Sequence, residues 1–183
     1  DTADEAEFWV LVDTVYGYNS SAQTSDSTTI TMWWNYNGGM PDDSSRPDKV
    51  FSTSNGFQAV WHFDSLWDAT NSDYDLENNG SLDTAGIIGR GRSFAGTGGS
   101  AQTATGFLPN DSGTTMFWLL QEQEVGGAPD RIFGSYSEFT QNFATFSPYD
   151  INVNYFGGGP TTTAGLTYQD WNFLAVQWTT STG

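Results

Sequence analysis

The residues best suited to chemistry lie in one polar stretch, Asp64–Asn79, which reads DSLWDATNSDYDLENN. Carboxylate and amide oxygens are the groups that calcium prefers in proteins. Their spacing does not follow an EF-hand loop, so we predict a calcium site of the type found in loops at the rim of a β-sandwich. The candidate metal ligands are Asp64, Asp68, Asn71, Asp73 and Asp75. The alternative interpretation is an acidic surface loop that binds no ion.

Catalysis is the competing hypothesis for the same stretch. Asp73, Asp75 and Glu77 alternate, and carboxylates on one side of a strand are the groups that glycosidases use. Here they stand among Asn, Ser and Gly without an apolar partner face, which favours a solvated loop. The single histidine, His62, follows Trp61 in an apolar run, so we interpret it as a core or edge residue. Without Cys or a serine elbow, a nucleophilic triad lacks support, and we predict that the chain is not an enzyme.

Composition and charge narrow the class of protein. The 183 residues include 13 Phe, 8 Trp and 8 Tyr, and rings of this size can bury a substantial core. Only 5 Lys and Arg face 22 Asp and Glu, a net charge of −17 that repels nucleic acid and anionic lipid and attracts cations. We therefore exclude nucleic-acid binding. The chain has no Cys for a disulfide framework and no apolar run of membrane-spanning length.

Short apolar or alternating runs separated by Gly, Pro, Ser and Asn predict an all-β fold, because no segment shows a long stripe of period 3.6. In Thr28–Tyr36, for example, large side chains alternate with Thr and Asn. The predicted strands are Phe8–Val12, Thr28–Tyr36, Val60–Phe63, Gly86–Phe94, Thr115–Gln121, Arg131–Phe133, Asn142–Phe146, Ile151–Phe156 and Trp171–Thr179. The predicted loops are Tyr16–Ser27, Met40–Lys49, Asp64–Asp83 and Ala95–Gly106.

From Val60 onward the chain resembles the concanavalin A-like jelly roll, in its bacterial laminin-G-like (LamG) branch. The resemblance rests on the order of five landmarks. They are Val60-Trp61-His62-Phe63, the polar loop Asp68–Gly80, the glycine-rich run Gly86–Gly96, Thr115-Met-Phe-Trp-Leu, and Trp171-Asn-Phe-Leu-Ala-Val-Gln-Trp-Thr. This similarity implies a jelly-roll β-sandwich over residues 50–183.

Upstream, Phe8–Val12 and Thr28–Gly38 resemble the closing strands of a bacterial domain of unknown function, DUF2341. Residues 1–49 are then the C-terminal part of that domain, a small β segment, plus a linker. Both families normally continue beyond what this chain contains. We therefore expect an internal portion of a larger protein, with the jelly roll incomplete at its C-terminus and completed by flanking residues or by a neighbour's strands.

The resemblance implies a non-catalytic binding module outside the cytoplasm of a bacterium, extracellular, on the cell surface or periplasmic. The implied ligand is a carbohydrate or a surface protein, held with or without calcium. Sugars stack on exposed rings and bond to amide and carboxylate groups. The candidate ligand-binding residues are Trp67, Tyr74, Asn78 and Tyr155. The alternative function is structural: a subunit of a surface appendage, filament or adhesin that assembles through strand or domain contacts.

Overall fold

The chain is mostly β in the residues that the computed structural model describes. These are residues 8–12, 18–19, 24–25, 29–31, 46–94, 99–106, 112–122, 130–134, 142–147, 150–154 and 161–179. Within these residues the strands form one four-stranded and several two-stranded antiparallel sheets, accompanied by a short α-helix and a 3-10 turn. The all-β prediction is therefore confirmed at this coarse level. The described sheets share no strand, and they do not show a sandwich or a jelly roll.

The longest strand pair joins β7 (Ser112–Leu120) to β12 (Trp171–Thr179), each of nine residues. The register runs without interruption from Ser112 opposite Thr179 to Leu120 opposite Trp171. Aromatic and β-branched residues make up about half of each strand, and neither strand contains Pro or a charged residue. The predicted strands Thr115–Gln121 and Trp171–Thr179 are thus confirmed, with β7 beginning three residues earlier than predicted.

The four-stranded sheet has the order β11, β10, β9, β8. Its strands are β8 (Asp130–Gly134), β9 (Asn142–Ser147), β10 (Asp150–Asn154) and β11 (Thr161–Gly165). Each strand pairs with its neighbour in sequence, so the sheet is an antiparallel meander, and its register shifts in all three pairings. The predicted strands near residues 131, 142 and 151 are confirmed, and β11 had no counterpart among the predictions.

Two strand pairs are nested in the middle of the chain. β4 (Leu82–Ala85) pairs with β5 (Arg90–Ser93), and the hairpin they form lies in sequence between β3 (Leu76–Asn79) and β6 (Ser100–Thr103), which pair with each other. The hairpin turn is closed by the Gly86 N–H donating to the Gly89 carbonyl at 3.0 Å. Gly89 has a φ of 58°, a conformation that glycine adopts without steric cost.

Among the described residues near the N-terminus, regular structure is limited to short elements. A two-residue pair joins β1 (Tyr18–Asn19) to β2 (Thr24–Ser25). The helix α1 (Pro47–Val50) begins with a proline, which suits a first helical turn, and an Arg46–Asp48 ion pair at 3.1 Å lies beside it. A 3-10 turn, Thr53–Asn55, follows and ends at Gly56.

Several element predictions were wrong. Phe8–Val12, the described part of Thr28–Tyr36 (residues 29–31) and Val60–Phe63 are not strands. Conversely, regular elements occur in all four predicted loops. Strands β3 and β4 begin inside Asp64–Asp83, and β6 lies inside Ala95–Gly106. Strands β1 and β2 lie inside Tyr16–Ser27, and α1 begins inside Met40–Lys49. The wrongly predicted strands are apolar runs, which strands and other buried segments share. The strands β4 and β6 were missed because they contain few large apolar residues and show no clear alternation.

Aromatic contacts provide the packing around α1. The buried Phe51 ring lies 5.4 Å from Phe57 in an edge-on arrangement, 5.5 Å from Trp9 and 5.1 Å from His62, measured between ring centroids. His62 also lies 5.2 Å from Trp9. Edge-on and tilted ring pairs at these separations are favourable beyond the area they bury. This cluster places His62 among rings.

At one end of the β7–β12 ladder, Gly113 lies opposite the buried side chain of Trp178. A Cβ atom placed on Gly113 would lie 2.4 Å from the Trp178 Cζ2 atom, closer than van der Waals contact allows. The indole therefore covers the glycine, and this contact requires that residue 113 have no side chain.

We predict that Gly113→Ala destabilises the protein by about 1–3 kcal/mol, because the buried indole must shift to admit one methyl group. Thermal unfolding followed by circular dichroism measures the effect. Gly106→Ala is the matched control, since its Cβ would meet nothing within 4 Å. Equal melting temperatures for the two variants would contradict the proposed close packing.

Candidate functional site

The carboxylate of Asp68 organises residues 60–76, which we call the Asp68 loop. Its Oδ1 atom accepts hydrogen bonds from the backbone N–H groups of Val60 (2.9 Å) and Thr70 (3.0 Å). Its Oδ2 atom accepts from the Thr70 hydroxyl (2.7 Å) and from the Tyr74 N–H (3.1 Å). An ionised carboxylate offers about four lone-pair sites, so these bonds use the full accepting capacity of Asp68.

Two hydrogen bonds between backbone groups also close the Asp68 loop. The Ala69 N–H donates to the Val60 carbonyl, and the Leu76 N–H donates to the Leu66 carbonyl, both at 2.8 Å. The second bond joins the loop to the first residue of β3. Because these bonds bring distant parts of the segment together, the Asp68 loop has a defined path although it contains little regular structure.

Two further hydrogen bonds in the loop involve side chains. The Trp61 indole N–H donates to the Tyr74 carbonyl at 2.9 Å, and the Asp68 N–H donates to the Asp75 Oδ1 atom at 2.8 Å. Asp68 is therefore held through both its side chain and its main chain. The run Val60–Phe63 is not a strand. The Val60 N–H and carbonyl bond instead to the Asp68 carboxylate and the Ala69 N–H.

Most of the predicted calcium ligands accept hydrogen bonds from the protein itself. Asp64 Oδ1 accepts from the adjacent Ser65 N–H at 2.6 Å, and Asn71 Oδ1 accepts from the Thr53 hydroxyl at 3.3 Å. Asp73 is exposed and has a φ of 57°. In the described part of the chain, no three His, Cys, Asp or Glu side chains lie close enough together to hold a metal ion. Calcium binding stays a prediction.

The predicted ligand-binding residues have different surroundings. Trp67 is 75% exposed, the highest value among the large apolar side chains of the described residues. Tyr74 lies in the same loop and is half-buried. The Asn78 amide is occupied, because it donates to the Ser81 carbonyl at 3.1 Å and accepts from the Ser81 N–H and hydroxyl at 2.8 Å each. Tyr155 lies outside the described residues. Of the three described candidates, Trp67 and Tyr74 lie in the Asp68 loop and Asn78 lies in β3.

Sequence reasoning missed two residues that matter to this geometry, Thr70 and Ser81. Both are buried polar residues, at 7% and 3% exposure. The Thr70 hydroxyl bonds to Asp68 and also accepts the Ser72 N–H at 3.1 Å. Asp side chains commonly accept the N–H two residues on, and Thr hydroxyls do the same more weakly, so Asp68 and Thr70 themselves were the available signal.

The sequence around the loop is acidic. No Lys or Arg occurs between residues 50 and 89. The first basic residue after the loop, Arg90, donates from Nε to Asp83 Oδ1 at 3.2 Å and from a second guanidinium nitrogen to Oδ2. This hydrogen-bonded pair lowers the pKa of Asp83 and raises the pKa of Arg90. The charge of Arg92, opposite Asp83 in the hairpin, contributes in the same direction to the pKa of Asp83.

Comparison with known proteins gives no family: no family model, no curated protein and no solved structure matches this chain. Among the described residues, no helix has the length and apolar character that crossing a membrane requires. The resemblance to the jelly roll and to DUF2341 therefore stays a prediction.

We predict that Arg90→Gln raises the pKa of Asp83 toward its ordinary value, because the charged hydrogen bond is removed. A carboxyl-carbon NMR titration measures it. A folded-state pKa below the unfolded one gives stability that is present above the unfolded pKa and lost as pH falls through the folded value. For this exposed pair the stability effect is small.

The control for this titration is Arg46→Gln, which removes the partner of Asp48 instead. That variant should raise the pKa of Asp48 and leave Asp83 unchanged. An Asp83 midpoint that stays the same in Arg90→Gln would show that the cross-strand pair does not persist in solution.

Proposed function

We propose that this chain is a non-catalytic module that binds carbohydrate outside the bacterial cytoplasm, on a jelly-roll β-sandwich. The observation that carries the proposal is Trp67, a large ring left open to solvent on a loop whose backbone is held by hydrogen bonds. The jelly roll is supported by the mostly β structure and by β7 and β12, which lie at two landmarks of the family resemblance.

An exposed indole suits a sugar because the two surfaces are complementary. The apolar C–H face of a pyranose ring covers the flat indole, and the area removed from water stabilises the contact. Polar groups must then meet the sugar hydroxyls. Asp64 is exposed and belongs to the same loop as Trp67, so its carboxylate offers an acceptor.

The acidic surroundings restrict the ligand. The loop region lacks Lys and Arg, and its excess of carboxylates repels anionic polymers. Neutral polysaccharides are therefore favoured over uronates and sulfated glycans. Calcium would change this selectivity by neutralising the carboxylates, which is why the calcium proposal is tested in the same experiment.

We expect Trp67→Ala to weaken retention of the protein by an immobilised neutral polysaccharide about tenfold or more, the usual effect of removing a central aromatic contact. Affinity gel electrophoresis across a panel of neutral and acidic polysaccharides measures retention. Phe94→Ala is the matched control, since this ring is also half-exposed but lies beyond the loop, after β5. Equal retention of both variants and the unaltered protein would contradict the Trp67 platform.

Calcium enters as a separate comparison on the same gels. If loop carboxylates hold calcium, chelator treatment lowers retention and added calcium restores it. Identical retention with chelator and with calcium would remove calcium from the proposal while leaving the Trp67 platform intact.

The second candidate function is a structural subunit that assembles through its sheets. The face of the β7–β12 pair that carries Met116, Trp118 and Phe173 is exposed, with 60% and 52% of Met116 and Phe173 open to solvent. Trp118 and Phe173 lie opposite one another with ring centroids 5.1 Å apart. An apolar face of this kind favours association between proteins. Filaments in the absence of any polysaccharide retention would support this candidate over the first.

A further inference from the structure

We infer that Asp68 is a positioning residue that fixes the orientation of Trp67. The functional meaning of this inference rests on the proposed carbohydrate platform, but the fixing itself is a property of the loop. Trp67 lies between two residues that are both tied to other parts of the segment, and its own ring is open to solvent. Its direction is therefore set by the backbone on either side.

The tie on the N-terminal side is the Leu66 carbonyl, which accepts the Leu76 N–H at 2.8 Å. On the C-terminal side is Asp68, whose own N–H donates to Asp75 at 2.8 Å. The Asp68 carboxylate then binds Val60 on one side and Tyr74 on the other. Because the carboxylate contacts both ends of the loop, it holds the Trp67 backbone against both.

A fixed backbone matters for a ligand that stacks on a ring. A free loop must be ordered when the ligand binds, and the lost conformational entropy weakens affinity. With the main chain held in place, Trp67 has only its two side-chain torsions left to restrict, which is the advantage that rigid aromatic anchors bring to binding sites. Asp68 thus contributes to affinity without touching the ligand.

The sharpest test is Asp68→Asn, which keeps the size of the side chain and replaces one oxygen by an NH₂ group. An amide oxygen in the Oδ1 position can still accept from Val60 and Thr70. The NH₂ group then faces the Tyr74 N–H, and two donors cannot bond. The alternative rotamer leaves the Val60 and Thr70 N–H groups facing the NH₂ group instead.

Two measurements follow from this change. The first is amide hydrogen exchange, which we expect to become about tenfold faster or more at Tyr74 or at Val60 and Thr70, with exchange in β7 and β12 unchanged. The second is ¹⁹F NMR relaxation of 5-fluorotryptophan-labelled protein, with the Trp67 signal assigned by Trp67→Phe. We expect this signal to show greater ring mobility in Asp68→Asn.

Asp73→Asn is the matched control. It is the same substitution in the same loop, at an exposed position with a positive φ that Asn tolerates well. It should leave exchange and ring mobility unchanged. If Asp68→Asn fails to fold, Thr70→Val replaces it, because that change removes the hydroxyl bonds to Asp68 and Ser72 and keeps the carboxylate.

A binding measurement separates positioning from general stability. We expect Asp68→Asn to weaken polysaccharide affinity several-fold when Trp67 is present and to have no further effect when Trp67 is already Ala. An unchanged Trp67 signal in Asp68→Asn would overturn the inference. Loss of affinity on Asp68→Asn but not on Trp67→Ala would instead overturn the proposed platform and leave the role of Asp68 in the loop standing.

Discussion

The structure of the middle of the chain depends on one carboxylate whose accepting capacity is filled. Asp68 binds three backbone N–H groups and one hydroxyl, and it thereby takes the place of the strand ladder that would otherwise satisfy those groups. Hydrogen bonds to a charged acceptor are stronger than those between neutral groups. This explains how a segment with little regular structure keeps a defined path up to the start of β3.

C-terminal to the loop, strand pairing organises most of the described residues, and the loop joins the first of these strands at Leu76. Its N–H closes the Asp68 loop, and the same residue opens β3, which pairs with β6 around the β4–β5 hairpin. The Asp68 loop and the β3–β6 strand pair thus share Leu76. The exposed Trp67 directly follows Leu66, whose carbonyl accepts the Leu76 N–H, and this placement is the basis of the carbohydrate proposal.

The sequence predicted some of these elements well and others poorly, for identifiable reasons. β7 and β12 were predictable because nine consecutive residues rich in β-formers and free of charge leave few alternatives. Val60–Phe63 looks equally strand-like, but periodicity cannot register that a distant Asp will bind its backbone. β4 and β6 consist mainly of small and polar residues, so their strand character comes from their partners and not from their own composition.

The site was predictable in part. The polar composition of residues 64–79 identified the loop, and Trp67 was named as a ligand-binding candidate. The role of Asp68 in the loop was not predicted, because the residue type alone does not tell whether a carboxylate binds a metal ion or the protein's own backbone. Whether a tryptophan belongs to the core or to the surface is also decided by packing: Trp178 is buried over a glycine, whereas Trp67 is open.

The uncharged β7–β12 pair has a consequence for how the protein behaves in concentrated solution. Its exposed apolar face offers no electrostatic repulsion, so copies are kept apart by the acidic residues elsewhere in the chain. That protection fails near the isoelectric point of about 4.1, where the net charge vanishes while the apolar face remains. High salt has a similar effect, because at 1 M ionic strength charges are screened beyond about 3 Å. Colloidal stability is therefore highest at neutral or alkaline pH and low salt.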